Sequence, residues 1–331
     1  MTSPLTGFAP LKYKSYIPSR NLIRMIFRSR ANSISIVLFI ALSTLFIGCG
    51  SKDTPSEPVA KPALNFSISI DQKFNRGPYE GRILLLIAKS NDPEPRFQIS
   101  DGPTSQLVFG VTVDSLSAGK EVVIDSAIFG YPLSSIESIP PGDYYIQGFL
   151  NKYSTFNLAN GHTVKLHMDQ GEGQQWNSSP GNLFSIPQKV TIDPAVGGKF
   201  KIVLSNEIPP IAPPEDTKYI KHVKIESKLL SEFWGRPMYI GANVLLPHDW
   251  DKRPDARYPL MIFHGHFPYT FGGFRETPPD PDLKPDFSAR FNIEGYNRIQ
   301  QEEAHNFYKQ WTSASFPRYI VIEIQHQNPY Y

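Results

Sequence analysis

Arg257-Tyr258-Pro259-Leu260-Met261-Ile262-Phe263-His264-Gly265-His266 is the stretch that decides how the C-terminal third of this chain is read. Residues 258 to 263 form a short, nearly continuous apolar run of the kind a strand buried in a parallel sheet shows. Downstream, residues 296 to 311 set Ile299, Phe307, Tyr308 and Trp311 against Glu302, Glu303 and Lys309, the pattern of an amphipathic helix. Arg318-Tyr319-Ile320-Val321-Ile322-Glu323-Ile324-Gln325 is then a further strand. A strand, a crossover helix and a strand make a parallel βαβ unit. Residues 222 to 227 and 239 to 246 read as two more strands ahead of it, and a Pro-, Asp- and Phe-rich excursion fills residues 267 to 291.

Working towards the N-terminus, Pro209-Pro210-Ile211-Ala212-Pro213-Pro214 marks a stiff connector over residues 206 to 216. The pattern changes on its far side. Phe66, Ile68 and Ile70 alternate with Ser67, Ser69 and Asp71, and apolar runs recur at residues 83–87, 107–113, 122–124, 144–150, 190–192 and 200–204. Turn signals at Asp101-Gly102-Pro103, Ala118-Gly119-Lys120 and Pro140-Pro141-Gly142-Asp143 separate them. Short strands at this spacing, with no long amphipathic helix between them, predict a β-sandwich over residues 63 to 205. The expected fold class is therefore multidomain, β plus α/β: an N-terminal β-sandwich, then an α/β sheet over residues 217 to 331.

One stretch of the sandwich, residues 161 to 177, is polar and carries His162, His167, Asp169, Glu172 and Trp176. Imidazole, carboxylate and an aromatic platform are what metal and sugar sites use, so His162, His167, Asp169 and Trp176 form a candidate ligand site. Their spacing matches no metal motif, and Gly171-x-Gly173 lacks the strand and helix of a phosphate loop. A structured loop packing on the neighbouring domain is the plainer reading, and no metal or cofactor is expected.

The leader is an address. Residues 1 to 48 hold six basic side chains (Lys12, Lys14, Arg20, Arg24, Arg28, Arg30) and no acid. The 33 basic and 31 acidic residues of the whole chain leave 27 against 31 after residue 48, a net charge of −4. A mildly acidic body argues against a nucleic-acid partner. Residues 34 to 47 are apolar but shorter than the roughly 20 residues of a membrane span, as in a signal-peptide core. Arg28 and Arg30 precede that run and Gly48-Cys49-Gly50-Ser51 follows it, an order that resembles a bacterial lipoprotein signal. The resemblance implies that Cys49 is lipidated, that residues 1 to 48 are removed, and that Met25 is the true start. Residues 49 to 62 are polar and proline-rich, a tether off the membrane. Gly50 after the cysteine resembles outer-membrane sorting, which places the protein on the cell envelope or surface. Because Cys49 is the single cysteine, neither an internal disulfide nor a cysteine-built zinc site is available.

Phe233-Trp234-Gly235-Arg236-Pro237, Ala242-Asn243-Val244-Leu245-Leu246-Pro247, Arg257-Tyr258-Pro259 and His264-Gly265-His266-Phe267-Pro268 together resemble the opening of secreted α/β-hydrolase esterases of the enterochelin- and feruloyl-esterase type. The sandwich motifs at residues 140–150 and 161–177 are similar to those of bacterial proteins that set a β-module ahead of such a domain. The resemblance implies that the loop after residue 263 supplies an oxyanion-hole N–H, with Gly265, His266 and Phe267 as candidates. It also implies a Ser nucleophile in Gly-x-Ser-x-Gly, and no serine of this chain has Gly two places before it. No catalytic triad residue is thus assigned, and the expectation is a C-terminally truncated, inactive esterase-like hydrolase fragment. A surface-attached lipoprotein that binds a glycan or protein without catalysis is the alternative. A metal-dependent enzyme using His162, His167 and Asp169 is the least favoured reading.

Overall fold

The computed structural model describes residues 63–102, 104–264, 271–288, 291–326 and 328–330. The expected leader, Cys49 and the tether lie outside the described residues, as do Gly265, His266 and Phe267.

Among the described residues, the first part of the chain, 63–207, is built from strands joined by loops and single turns of 3-10 helix. In chain order they are β1 (Leu64–Ile70), β2 (Tyr79–Ala88), β3 (Leu107–Leu116), β4 (Glu121–Ile124), β5 (Gly130–Tyr131), β6 (Gly142–Lys152), β7 (Ser154–Asn157), β8 (Thr163–Leu166), β9 (Leu183–Phe184), β10 (Gln188–Ile192), β11 (Gly198–Leu204) and β12 (Asn206–Glu207). A three-stranded sheet runs β11-β1-β4, and a seven-stranded sheet runs β12-β9-β6-β2-β3-β5 with β10 also on β6. The alternation seen in β1 is the cause of the layering. Phe66, Ile68 and Ile70 turn to one side and are buried, while Ser67 and Ser69 turn to the other.

From the seven-stranded sheet, Ile83, Leu85, Ile87, Phe109 and Ile146 meet the β1 residues in one shared core. Each such side chain, taken from water, contributes roughly 1.5–3 kcal/mol. Gly148 on β6 lets the layers approach closely, since a Cβ there would lie 2.8 Å from the Ile202 side chain. The other face of the large sheet is covered too: Leu84, Leu86 and Phe149 pack with Ile208, Trp176 and Phe184. Strand β2 is therefore buried on both faces, which explains why its sequence runs apolar without alternating.

The second part holds β13 (Ile220–Glu226), α1 (Lys228–Trp234), β14 (Tyr239–Leu245), β15 (Leu260–Phe263), the small hairpin β16 (Phe287–Ser288) and β17 (Ile293–Glu294), α2 (Tyr296–Trp311) and β18 (Ile320–His326). Four of these strands form one sheet in the order β13-β14-β18-β15, with β14 antiparallel to both neighbours and β15 parallel to β18. Helix α2 is the crossover between the parallel pair. It lays Trp311 on Leu245 and Val321 beside Phe274, with Phe307 and Tyr308 at the margin, and the indole N–H donates to the Leu246 carbonyl at 2.9 Å.

The opposite face carries Val223, Ala242 and Ile324 in one row and Val244, Ile322 and Ile262 in another, with Leu260 paired to Ile320. It is partly uncovered: Val223, Leu260 and Ile262 are exposed and the others are half-buried. Among the described residues strand β15 pairs on one side only, and all four of its residues are exposed.

Helix α1 was not anticipated from the sequence, although its stop and start signals are present. The Ser227 side chain accepts from the Leu230 amide at the N-terminus, and Gly235 closes the C-terminus with φ +65°. The helix is seated on the β7–β8 hairpin of the first part. Trp234 packs edge-on to Phe156 at 5.3 Å, and the Ala159 amide donates to the Phe233 carbonyl at 2.9 Å. A second seam joins residues 328–330 to the polar loop after β8. Met168 pairs with Pro329, while the Asp169 amide donates to the Asn328 carbonyl and the Tyr330 amide to the His167 carbonyl.

Candidate functional site

The polar loop after β8 is organised by its own carboxylates. One Asp169 oxygen accepts the Gly171 amide at 2.8 Å and the Gly173 amide at 3.3 Å, and the other accepts the Gln174 amide at 3.0 Å. Burial nonetheless pushes the Asp169 carboxyl above its usual range; these amides oppose it and the nearby Glu172 charge adds to it, both as smaller influences.

Deeper in the loop, Ser179 donates to Glu172 at 2.6 Å and Tyr330 donates to the same carboxylate oxygen at 2.5 Å. His167 Nε2 meets the Ser179 hydroxyl, and His167 Nδ1, which faces the Lys152 carbonyl at 2.6 Å, must carry a hydrogen. Burial opposes ionisation of Glu172, but the His167 imidazole, whose Nε2 lies 3.6 Å away, and the bonds from Ser179 and Tyr330 prevail and hold its carboxyl at about 2. Tyr330 is driven the other way, upward, by burial and then by its bond to the Glu172 carboxylate.

A serine, a histidine and a glutamate in contact invite comparison with a nucleophilic triad, and the order of contacts excludes it. In a triad the histidine stands between the hydroxyl and the acid. Here the hydroxyl stands between the histidine and the acid, Nδ1 faces a carbonyl, and Ser179 is fully buried. The cluster is a fastening between the loop and residues 328–330.

The four residues marked in the sequence as a ligand site are therefore divided. His162 is exposed in the β7–β8 turn, at the other end of β8 from the buried His167. Asp169 is occupied by backbone amides, and Trp176 packs edge-on to Phe149 at 5.2 Å. Among the described residues no group of three or more His, Cys, Asp or Glu side chains could hold a metal ion.

At the C-terminal end of β15 a different arrangement is found. His264 follows the strand directly and is exposed. Beside it a cavity of about 320 Å³ opens between the sheet and α2, lined by Met261, Phe263, Phe271, Phe307 and Glu323. Glu323 lies in one row of the sheet with Asn243 on one side and Phe263 on the other. It is 9% exposed, Asn243 is fully buried, and the Asn243 amide donates to the carboxylate at 3.4 Å.

Burial raises the Glu323 carboxyl above its usual range, and the Asn243 bond only partly offsets this. The Asn243 carbonyl oxygen has no hydrogen-bond partner among the described residues. An apolar cavity with one carboxyl of shifted protonation in its wall, backed by the buried Asn243 amide, is a common make-up of a small-molecule site. Sequence reasoning passed over Glu323 and Asn243. The sign was present in Ile320-Val321-Ile322-Glu323-Ile324, where a lone acid shares the face of Val321.

No helix among the described residues is long and apolar enough to cross a membrane. No family model, curated protein or solved structure matches the chain.

Proposed function

We propose that residues 217–331 are the first part of an esterase-like α/β-hydrolase domain, carried behind a β-module on an exported, lipid-anchored chain. One observation carries this reading. In the resembled fold the third strand lies between the fourth and the fifth, and here β15 pairs with β18 on one side and presents an open edge on the other. In that fold the loop after this strand aims an N–H at the carbonyl oxygen of an ester, the role this reading gives to Gly265, His266 and Phe267, which lie outside the described residues. The cavity lined by Phe263 and Glu323 would take the acyl or aryl part of the substrate, with the Glu323 carboxyl fixing a polar group. Acyl transfer also needs an activated nucleophile, and these 331 residues contain no Gly-x-Ser-x-Gly.

The chain as given is expected to leave p-nitrophenyl acetate and its longer acyl homologues unhydrolysed. Turnover above the protein-free blank that persists through repurification would defeat the assignment of the missing nucleophile. Reading the gene beyond the Tyr331 codon tests the family assignment itself. An in-frame Gly-x-Ser-x-Gly supports the hydrolase reading, and unrelated sequence after a clean stop favours a surface-binding lipoprotein. That second reading has its own observation, a groove of about 270 Å³ lined by Lys152, Ser154, His167, Gln170 and Arg236 where the β-module meets the second part. Anchoring is tested by Cys49→Ser, which should release the chain from the membrane fraction or leave its precursor uncleaved; unchanged association and mass would refute lipidation.

A further inference from the structure

At the other end of the four-stranded sheet, the loop between β14 and β15 and the segment between α2 and β18 enclose an open cleft of about 440 Å³. Strand β14 runs antiparallel to its neighbours, so the end of β14 and the starts of β15 and β18 meet there, a strand's length from His264. The ionisable side chains of its lining include Arg253, Arg257, Arg318, Asp249 and His248.

The single acid of that lining is already engaged: Asp249 pairs with Lys252 at 2.8 Å and with His248 at 3.3 Å. His248 is also held by the Tyr219 hydroxyl at 3.4 Å. Arg318 is fixed in orientation by the carbonyls of Phe316 and Ser313 at the cleft wall, neutral acceptors that leave its charge in place. Arg253 and Arg257 project from the facing loop, and neither guanidinium makes a hydrogen bond or ion pair among the described residues. Asp251 and Asp255 belong to the same loop, but neither lines the cleft or pairs with these arginines.

Three guanidinium groups thus line one concave space that holds a single carboxylate, Asp249, which pairs with Lys252 and lies in the field of Arg318, so the cations outnumber the acid there. The guanidinium fork matches phosphate and carboxylate oxygens two at a time.

We propose that this cleft is a binding site for a multivalent oxyanion of the phosphate class, free in solution or as the headgroup of a lipid. The assignment is independent of the hydrolase reading, since it lies at the opposite end of the sheet and uses none of the same residues.

Purified 331-residue protein is titrated by calorimetry with inorganic phosphate at constant ionic strength, chloride serving as the matched control. Saturable binding of phosphate but not chloride is expected, weakened at least tenfold in the Arg253→Ala/Arg257→Ala double variant. The Lys199→Ala/Lys201→Ala variant, altered on β11 of the β-module, should bind as the parent does. Circular dichroism of both variants keeps a loss of binding distinct from a loss of fold.

Co-sedimentation with phosphatidylcholine vesicles, with and without phosphatidic acid, separates the two sources. Arginine-dependent capture by phosphatidic acid assigns a lipid headgroup, and calorimetric binding without capture assigns a free anion. No saturation by phosphate together with no arginine-dependent capture, or equal binding by parent and double variant, overturns the proposal.

Discussion

Ile83-Leu84-Leu85-Leu86-Ile87 in β2 and Leu260-Met261-Ile262-Phe263 in β15 are nearly interchangeable as sequences, yet the first is buried throughout and the second is exposed throughout. Their surroundings make the difference. Strand β2 has β3 and β6 as hydrogen-bonded neighbours and apolar clusters on both faces. Strand β15 has β18 alone among the described residues, a cavity on one face and a partly uncovered row of aliphatic side chains on the other. An apolar run states that a strand suits burial; the elements stacked around it determine whether burial occurs. In the first part of the chain that demand is met locally, and in the second an open apolar edge remains, which is a template for pairing with another strand.

The strongest test of this contrast is a pair of truncations. Phe66, fully buried and stacked on Phe200 at 5.1 Å, should cost about 3–5 kcal/mol on Phe66→Ala in denaturant unfolding. The matched Ile262→Ala on β15 should cost less than about 1 kcal/mol. Equal losses would mean that β15 is covered in solution.

Next in size is the fastening between the two parts. Glu172→Gln removes the carboxylate that Ser179 and Tyr330 share, and should cost about 3 kcal/mol at neutral pH. The sign with pH follows from the lowered value. Glu172 goes from 4.5, its ordinary value, to about 2 in the folded chain, so its contribution is complete above 4.5 and is lost as pH falls through about 2. The raised carboxyls of Asp169 and Glu323 act oppositely, favouring the fold below their ordinary values and losing that contribution as pH rises through their raised ones. Thermal melts between pH 2 and pH 6 should show an acid limb that flattens in Glu172→Gln, and an unchanged limb would place the acid sensitivity elsewhere.

A smaller effect is expected at the other seam. Gly235 has φ +65°, and a Cβ there would come within 2.2 Å of the Asn157 carbonyl oxygen. Gly235→Ala should therefore cost about 2 kcal/mol. The loss should appear in limited proteolysis as earlier cleavage around α1, with the β-module keeping its resistance. Smallest in stability is Ile262→Lys, within about 0.5 kcal/mol of the parent. It should nevertheless raise the soluble yield by charging the open edge, and no change in solubility would show that β15 is not the aggregating element.

Much of this structure was legible from residue pattern. The alternation in β1, the full span of α2 and the apolar run of β18 each record a local rule, a period of two or of 3.6 read directly from side-chain order. Helix α1 was legible through Ser227 and Gly235 but too short to show a period. The short strands β5, β9 and β12 carry no pattern of their own, since two residues cannot alternate and exist only because a neighbour offers hydrogen bonds.

The polar loop shows the same division. Sequence marked His167 and Asp169 as chemically capable, and Asp169 was then spent on three amides of its own loop. His167 and Glu172 were given their partners by Ser179, seven residues beyond Glu172, and by Tyr330, 158 residues away. What the sequence determined by itself was which segments suit strand or helix and which side chains can ionise or donate. Which strands acquire neighbours, which carboxylates are held charged and which raised, and where three arginines come to share a cleft with one acid were decided by the tertiary structure alone, because burial and electrostatics depend on distances in space that chain order does not contain.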